Sequence, residues 1–133
     1  MKLLKRLSFV LVLAVLFSSC SKDDDNKLED SLMGTWKVTS QKYNGEAQEL
    51  DVCELKTTVK FTESKVTSTE YEGENCAEEF SETDSYTRNG NTISITSEGE
   101  TVNIEITKLT STTLELTQVD EDNDVYVQTY AKQ

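Results

Sequence analysis

Six segments of this chain alternate apolar and polar residues with a period of two, and nothing else in the sequence constrains the fold as much. "TWKVTS" sets Trp36 and Val38 against Lys37 and Thr39. "LKTTVKF" puts Leu55, Thr57, Val59 and Phe61 on one face and Lys56, Thr58 and Lys60 on the other. "NTISITS" alternates Ile93 and Ile95, and "TVNIEITKL" sets Val102, Ile104 and Ile106 against Asn103 and Glu105. "TTLELTQV" alternates Leu114 and Leu116 against Glu115, and "DVYVQTYAK" sets Val125 and Val127 against Tyr126, Gln128 and Tyr130. Successive side chains of a strand point to opposite faces, so this pattern predicts antiparallel strands with one face buried. The abundance of Thr and β-branched residues agrees.

Weaker strands are expected from Val66 to Tyr71 and from Phe80 to Arg88, with Val66, Phe80 and Tyr86 inward. The turns between strands are plainer. "YNGE", "RNGN" and "SEGE" place Gly after Asn or Glu, which supplies the positive φ of tight hairpins, and "EDND" makes another polar tip. Proline is absent, so no strand is demoted to an edge. Leu28–Met33 reads as a short helical turn before the first strand. About eight strands joined by short loops predict an all-β, up-and-down antiparallel barrel over residues 31–133. An open two-sheet sandwich is the rival, but it needs longer crossings between sheets.

The N-terminus has a different character. Lys2, Lys5 and Arg6 precede the apolar run from Leu7 to Phe17, about half of the ~20 residues that span a bilayer. A basic start, a short apolar run and small residues before a cut describe a secretory signal helix, assigned to residues 1–19. Ser18 and Ser19 precede Cys20, and this resembles a bacterial lipobox, in which the cysteine sulfur takes a lipid. The resemblance implies a membrane anchor at Cys20, because two or more acyl chains hold stably where one does not. The adjoining Ser21, Lys22, Asp23, Asp24 and Asp25 resemble the acidic export signal of Bacteroidetes-type lipoproteins, which sends them through the outer membrane to the cell surface. As a charge run that buries no apolar area, residues 20–30 also read as a disordered tether.

Cleavage after residue 19 leaves 114 of the 133 residues, one domain's length, and removes three basic residues and no acids. The net charge falls from −12 to −15. A surface so acidic excludes nucleic acid as a partner, since binding a polyanion needs bases that release counterions. With Cys20 given to lipid, Cys53 and Cys76 remain, and an oxidising compartment makes them a disulfide. No C-x-x-C and no histidine are present, which argues against a redox or metal site.

A family likeness rests on "MGTWKVTS" and on the order of the segments downstream of it. Gly34 and Trp36 resemble the G-x-W of lipocalins, whose tryptophan closes the bottom of the barrel against the last strands. The wider order is a Cys before "TTVKFTES", a second Cys after the next strand, then "NGNTISI", "ITKLTSTTLEL" and a terminal "TYAKQ". It is similar to the small lipocalin-like domain of Bacteroidetes lipoproteins across residues 32–133. The resemblance also matches Cys53 and Cys76 to that family's frequent cysteine pair. Where many lipocalins stack an arginine on the tryptophan, the last strand here offers Lys132.

Catalysis finds no foothold. The commonest general base is missing, and the carboxylate pairs Glu78–Glu79 and Glu98–Glu100 sit in loops of an acidic chain. "DEDND" lacks the glycine and the terminal glutamate of an EF-hand loop, and no nucleophile elbow appears. The chain is therefore expected to be a non-enzymatic monomer without cofactor or metal. Two readings stay open. An eight-stranded barrel is just wide enough to hold one small apolar ligand or to be filled by its own side chains. If hollow, Phe61, Phe80, Tyr86 and Tyr126 are its expected lining. If packed, the barrel is a surface interaction module for a protein or glycan.

Overall fold

The computed structural model describes residues 32–133. The signal helix, the tether, Cys20, the export residues 21–25 and most of the expected turn at 28–33 lie outside the described residues.

Nine strands run in this order: β1 (Gly34–Tyr43), β2 (Glu46–Gln48), β3 (Thr58–Phe61), β4 (Lys65–Glu72), β5 (Glu78–Asn89), β6 (Thr92–Ser97), β7 (Glu100–Leu109), β8 (Thr113–Val119) and β9 (Val125–Lys132). Every pairing is antiparallel. β1 pairs with β9 from Trp36↔Lys132 to Tyr43↔Tyr126, and this closes an eight-stranded barrel of β1 and β3–β9. The sandwich alternative is thereby excluded. β2 is an addition, a hairpin partner for the last three residues of β1. Asn44 (φ 49°) and Gly45 (φ 83°) form the tip of that hairpin, as the "YNGE" signal predicts.

One wall of the ring is incomplete. β3 has four residues and β4 has eight, so the last residues of β4 have no strand on that side. The connection from β2 to β3 fills the space, with a 3₁₀ turn at Glu54–Lys56. Leu55 belongs to this turn and is 40% exposed, which corrects its expected place on the inward face of a longer strand. A Cys53–Cys76 disulfide (S–S 1.99 Å) ties the connection to the β4–β5 turn.

The strands run between two unlike ends. At the closed end, Leu32, Trp36, Phe61, Val66, Tyr86, Ile93, Ile106, Leu114 and Tyr130 form a tight core. Trp36 is fully buried, and its indole N–H donates to the Leu32 carbonyl at 2.8 Å. Leu32 is itself buried and lies in that core as a plug. Lys132 Nζ sits 4.4 Å from the centroid of the Trp36 ring and donates to the Met33 carbonyl. The lysine thus supplies the cation over the tryptophan that the absent arginine would give. At the opposite end the barrel is open.

Candidate binding cavity

Above the packed floor the strands enclose a cavity of about 220 Å³. Its apolar lining is Val59, Phe61, Val66, Ile95, Ile104, Leu116, Tyr126 and Tyr130, and its polar lining includes Ser68, Glu70, Glu82, Asp84, Gln118 and Gln128. Register accounts for this company. The pairs Val59↔Ser68, Phe61↔Val66, Val66↔Asp84 and Ser68↔Glu82 put these side chains on one face of the sheet, and closure turns that face inward. The same reasoning places Gln118 beside Tyr126 and Leu116 beside Gln128.

In β9 the inward row is therefore Tyr126, Gln128 and Tyr130, and the valines Val125 and Val127 belong to the outer face. Tyr130 is buried and donates its hydroxyl to Gln128 Oε1 at 2.8 Å. Burial, and secondarily the Glu70 carboxylate, push its phenol well above the ordinary range.

Two wider recesses continue from this cavity. One, of about 500 Å³, shares Thr57, Glu70 and Gln128 with it and reaches the disulfide, Leu50 and Tyr71. The other, of about 480 Å³, shares Glu82, Asp84 and Ile95 and is rimmed by Ser97, Glu98, Glu100 and Val102. Ser97 donates to Glu82 at 3.4 Å. Among the described residues, no lysine or arginine lines any of the three spaces.

The four aromatic residues expected in the lining have different fates. Phe61 and Tyr126 line the cavity. Tyr86 does not: it is buried in the floor, edge-on to Phe61 with ring centroids 5.3 Å apart, and its hydroxyl donates to the Thr62 carbonyl. Burial pushes its phenol up, against a smaller opposing pull from Arg88. Phe80 does not either. It has the inward parity, opposite Glu70, but it sits where β5 overshoots the mouth and is 53% exposed. Tyr130, the glutamines and the three carboxylates are the lining residues that apolar periodicity passes over. Their signal is the phase of each strand, read from its buried neighbours.

At the rim, the "DEDND" tip serves as its own framework. Asp120 Oδ1 accepts from the backbone N–H groups of Asp122 (3.0 Å) and Asp124 (2.9 Å). Asp124 accepts from the Tyr43 hydroxyl at 2.8 Å and from Asn44 Nδ2 at 2.9 Å, which links this tip to the β1–β2 hairpin. These bonds, Asn44's first, hold the Asp124 carboxyl below its ordinary value, and the same contact pushes the Tyr43 phenol to about 12. Among the described residues, no group of three or more acids or cysteines is arranged to hold a metal ion.

The family described as Lipocalin-like domain matches residues 32–116. The crystal structure of a lipocalin-like protein from Bacteroides uniformis superposes with a TM-score of 0.58 at 13% identity, over 77% of this chain and 99% of that one. An uncharacterized protein from Bacteroides eggerthii gives a TM-score of 0.56 at 15% identity, again over 77% and 99%. At such identities the likeness is one of fold. No curated protein matches the chain.

Proposed function

Because the chain belongs to the lipocalin-like domain family, whose barrels are non-catalytic binding modules, we propose that its interior takes up one small, largely apolar molecule through the open mouth. The observation that carries this reading is the division of the barrel into a packed floor and a hollow upper half. An eight-stranded barrel is just wide enough either to be filled by its own side chains or to hold one small ligand. Here Phe61, Val66 and Tyr130 border the packed floor, and the side chains above them leave about 220 Å³ unfilled. Small-molecule sites have this character, a mostly apolar wall with a few polar groups that fix orientation.

The lipobox-like cysteine supports an outer-membrane lipoprotein, and the "SKDDD" beside it supports display at the cell surface. On this reading Cys20 carries the lipid and the barrel works as a monomer. A second reading, a surface that grips a protein or glycan, has its own observation. Val52, Phe80 and Val119 are more than half exposed, and all three stand near the mouth.

Methyl NMR of the full chain with 2-phenylethanol as probe tests the first reading. Shifts at Val59, Ile95, Ile104 and Leu116, with Leu32 and Ile93 unmoved, are expected. Shifts confined to Val52 and Val119 would favour the second reading. For the address, changing Asp23, Asp24 and Asp25 to Ala is expected to hide the protein from external protease while it stays in the membrane. Cys20→Ser is expected to release it.

A further inference from the structure

The cavity has two unlike walls. Around the ring, β4 and β5 stand opposite β8 and β9. The first wall carries Glu70, Glu82 and Asp84, and the second carries Tyr126, Gln128 and Gln118. Glu82 and Asp84 are consecutive inward positions of one strand, so their Cα atoms lie roughly 7 Å apart at the usual rise of a strand. They also belong to both the central cavity and the recess above it. Among the described residues no base lines either space, and neither carboxylate has a cation as a lining neighbour.

The loops repeat this asymmetry along the barrel axis. At the mouth the β4–β5 turn reads "EGENCAEE", the β6–β7 turn "EGE" and the β8–β9 turn "DEDND", while the β2–β3 connection sets Glu49, Asp51 and Glu54 against Lys56, whose Nζ lies 5.9 Å from the centroid of the Tyr71 ring. At the closed end the turns read "TESK", "RNGN" and "KLTST", with Glu63 as their one acid against Lys65, Arg88 and Lys108. A cleft lined by one sign of charge, between low-dielectric walls, focuses its field on whatever enters. An incoming carboxylate, such as a fatty acid's, meets like charge at the rim and again inside. An incoming ammonium meets attraction at both places. Its apolar body then rests on Phe61, Leu116 and Tyr126.

We infer that the cavity selects an amphiphilic cation, an amine or guanidinium on a small apolar body, and rejects the matching anion. This rests on the interior being the binding site, which the apolar lining supports independently of the carboxylates. The test is calorimetry on the full chain carrying Cys20→Ser, so that no acyl chain competes. Three probes share one ring: 2-phenylethylamine, 2-phenylethanol and 3-phenylpropanoate. At low salt the amine is expected to bind about tenfold tighter than the alcohol, and the propanoate weaker than both. Raising salt to about 0.5 M is expected to shrink the amine's advantage severalfold. In the triple variant Glu70→Gln, Glu82→Gln, Asp84→Asn the amine-to-alcohol ratio is expected to fall to within about twofold. Amine binding no tighter than the alcohol's, or propanoate binding as tight as the amine's, overturns the charge selectivity and leaves the interior site standing. If none of the three binds, the alcohol included, the interior-site reading falls and the selectivity falls with it. An undiminished preference for the amine in the triple variant also overturns the proposal, since a group outside the cavity wall would then be its source.

Discussion

Gly34 governs how the chain enters the barrel and how near Lys132 comes to Trp36. Its φ of 123° is one that side chains rarely adopt, and a Cβ there would lie 2.6 Å from Lys132 Nζ. The lysine's end could swing aside, but the backbone strain would stay. Gly34→Ala is therefore expected to cost about 1–3 kcal/mol in urea unfolding. Asp124 gives a second prediction at this scale. Its carboxyl is held below the ordinary 3.8, so its bonds stabilise the fold above that pH and are lost as pH falls through the lower folded value. Asn44→Ala is expected to raise its midpoint toward 3.8 in an NMR titration. The Tyr43 phenol, raised from 10 to about 12, works the other way: its bond contributes below pH 10 and is lost as pH climbs through about 12. Single residues are unevenly legible from sequence. Phe61 and Tyr126 can be assigned from strand phase and size. Phe80 cannot, because alternation tells which face a residue takes and not whether it lies inside the mouth or beyond it.

At the scale of elements, the disulfide makes up for a strand that ends early. β3 is too short to cover the last residues of β4, and the β2–β3 connection lies there without a continuous ladder. Cys53–Cys76 fastens it with a sequence separation of 23. In the chain-entropy account a loop of this length is worth roughly 3–3.5 kcal/mol. Replacing both cysteines with Ser is expected to lower stability by about that much, and limited proteolysis should then begin within residues 49–57. Equilibrium denaturation alone would not separate global loss from local opening, so both measurements are needed. The hairpins are readable because period-two patterning and Asn-Gly turns are local signals. β2 is not, since Glu46–Gln48 is wholly exposed and carries no burial pattern. The 3₁₀ turn is hidden because "LKTTVKF" alternates right through Leu55.

The described barrel is polarised along its axis, with predominantly acidic loops around the opening and basic ones around the base. Crowded carboxylates repel one another, and salt relieves that repulsion within a Debye length of about 8 Å at physiological strength. The melting temperature is therefore expected to rise by a few degrees from very low salt to about 0.15 M, as about 1 kcal/mol shifts a domain of this size by 4–8 °C. A chain dominated by surface cation–carboxylate pairs would lose stability instead. Closure of the ring is legible in the run of short hairpins. The contrast between a solid floor and a hollow top is not, because it depends on how side-chain volumes sum across eight strands.

The only tryptophan is sealed into the base, below the compartment that would receive a guest, and does not line it. Its intrinsic emission is thus a gauge of whether the bottom of the barrel is intact: strongly blue-shifted while native, red-shifting sharply on denaturation. The same signal should stay nearly silent during a binding titration, so a flat fluorescence trace counts for nothing against occupancy.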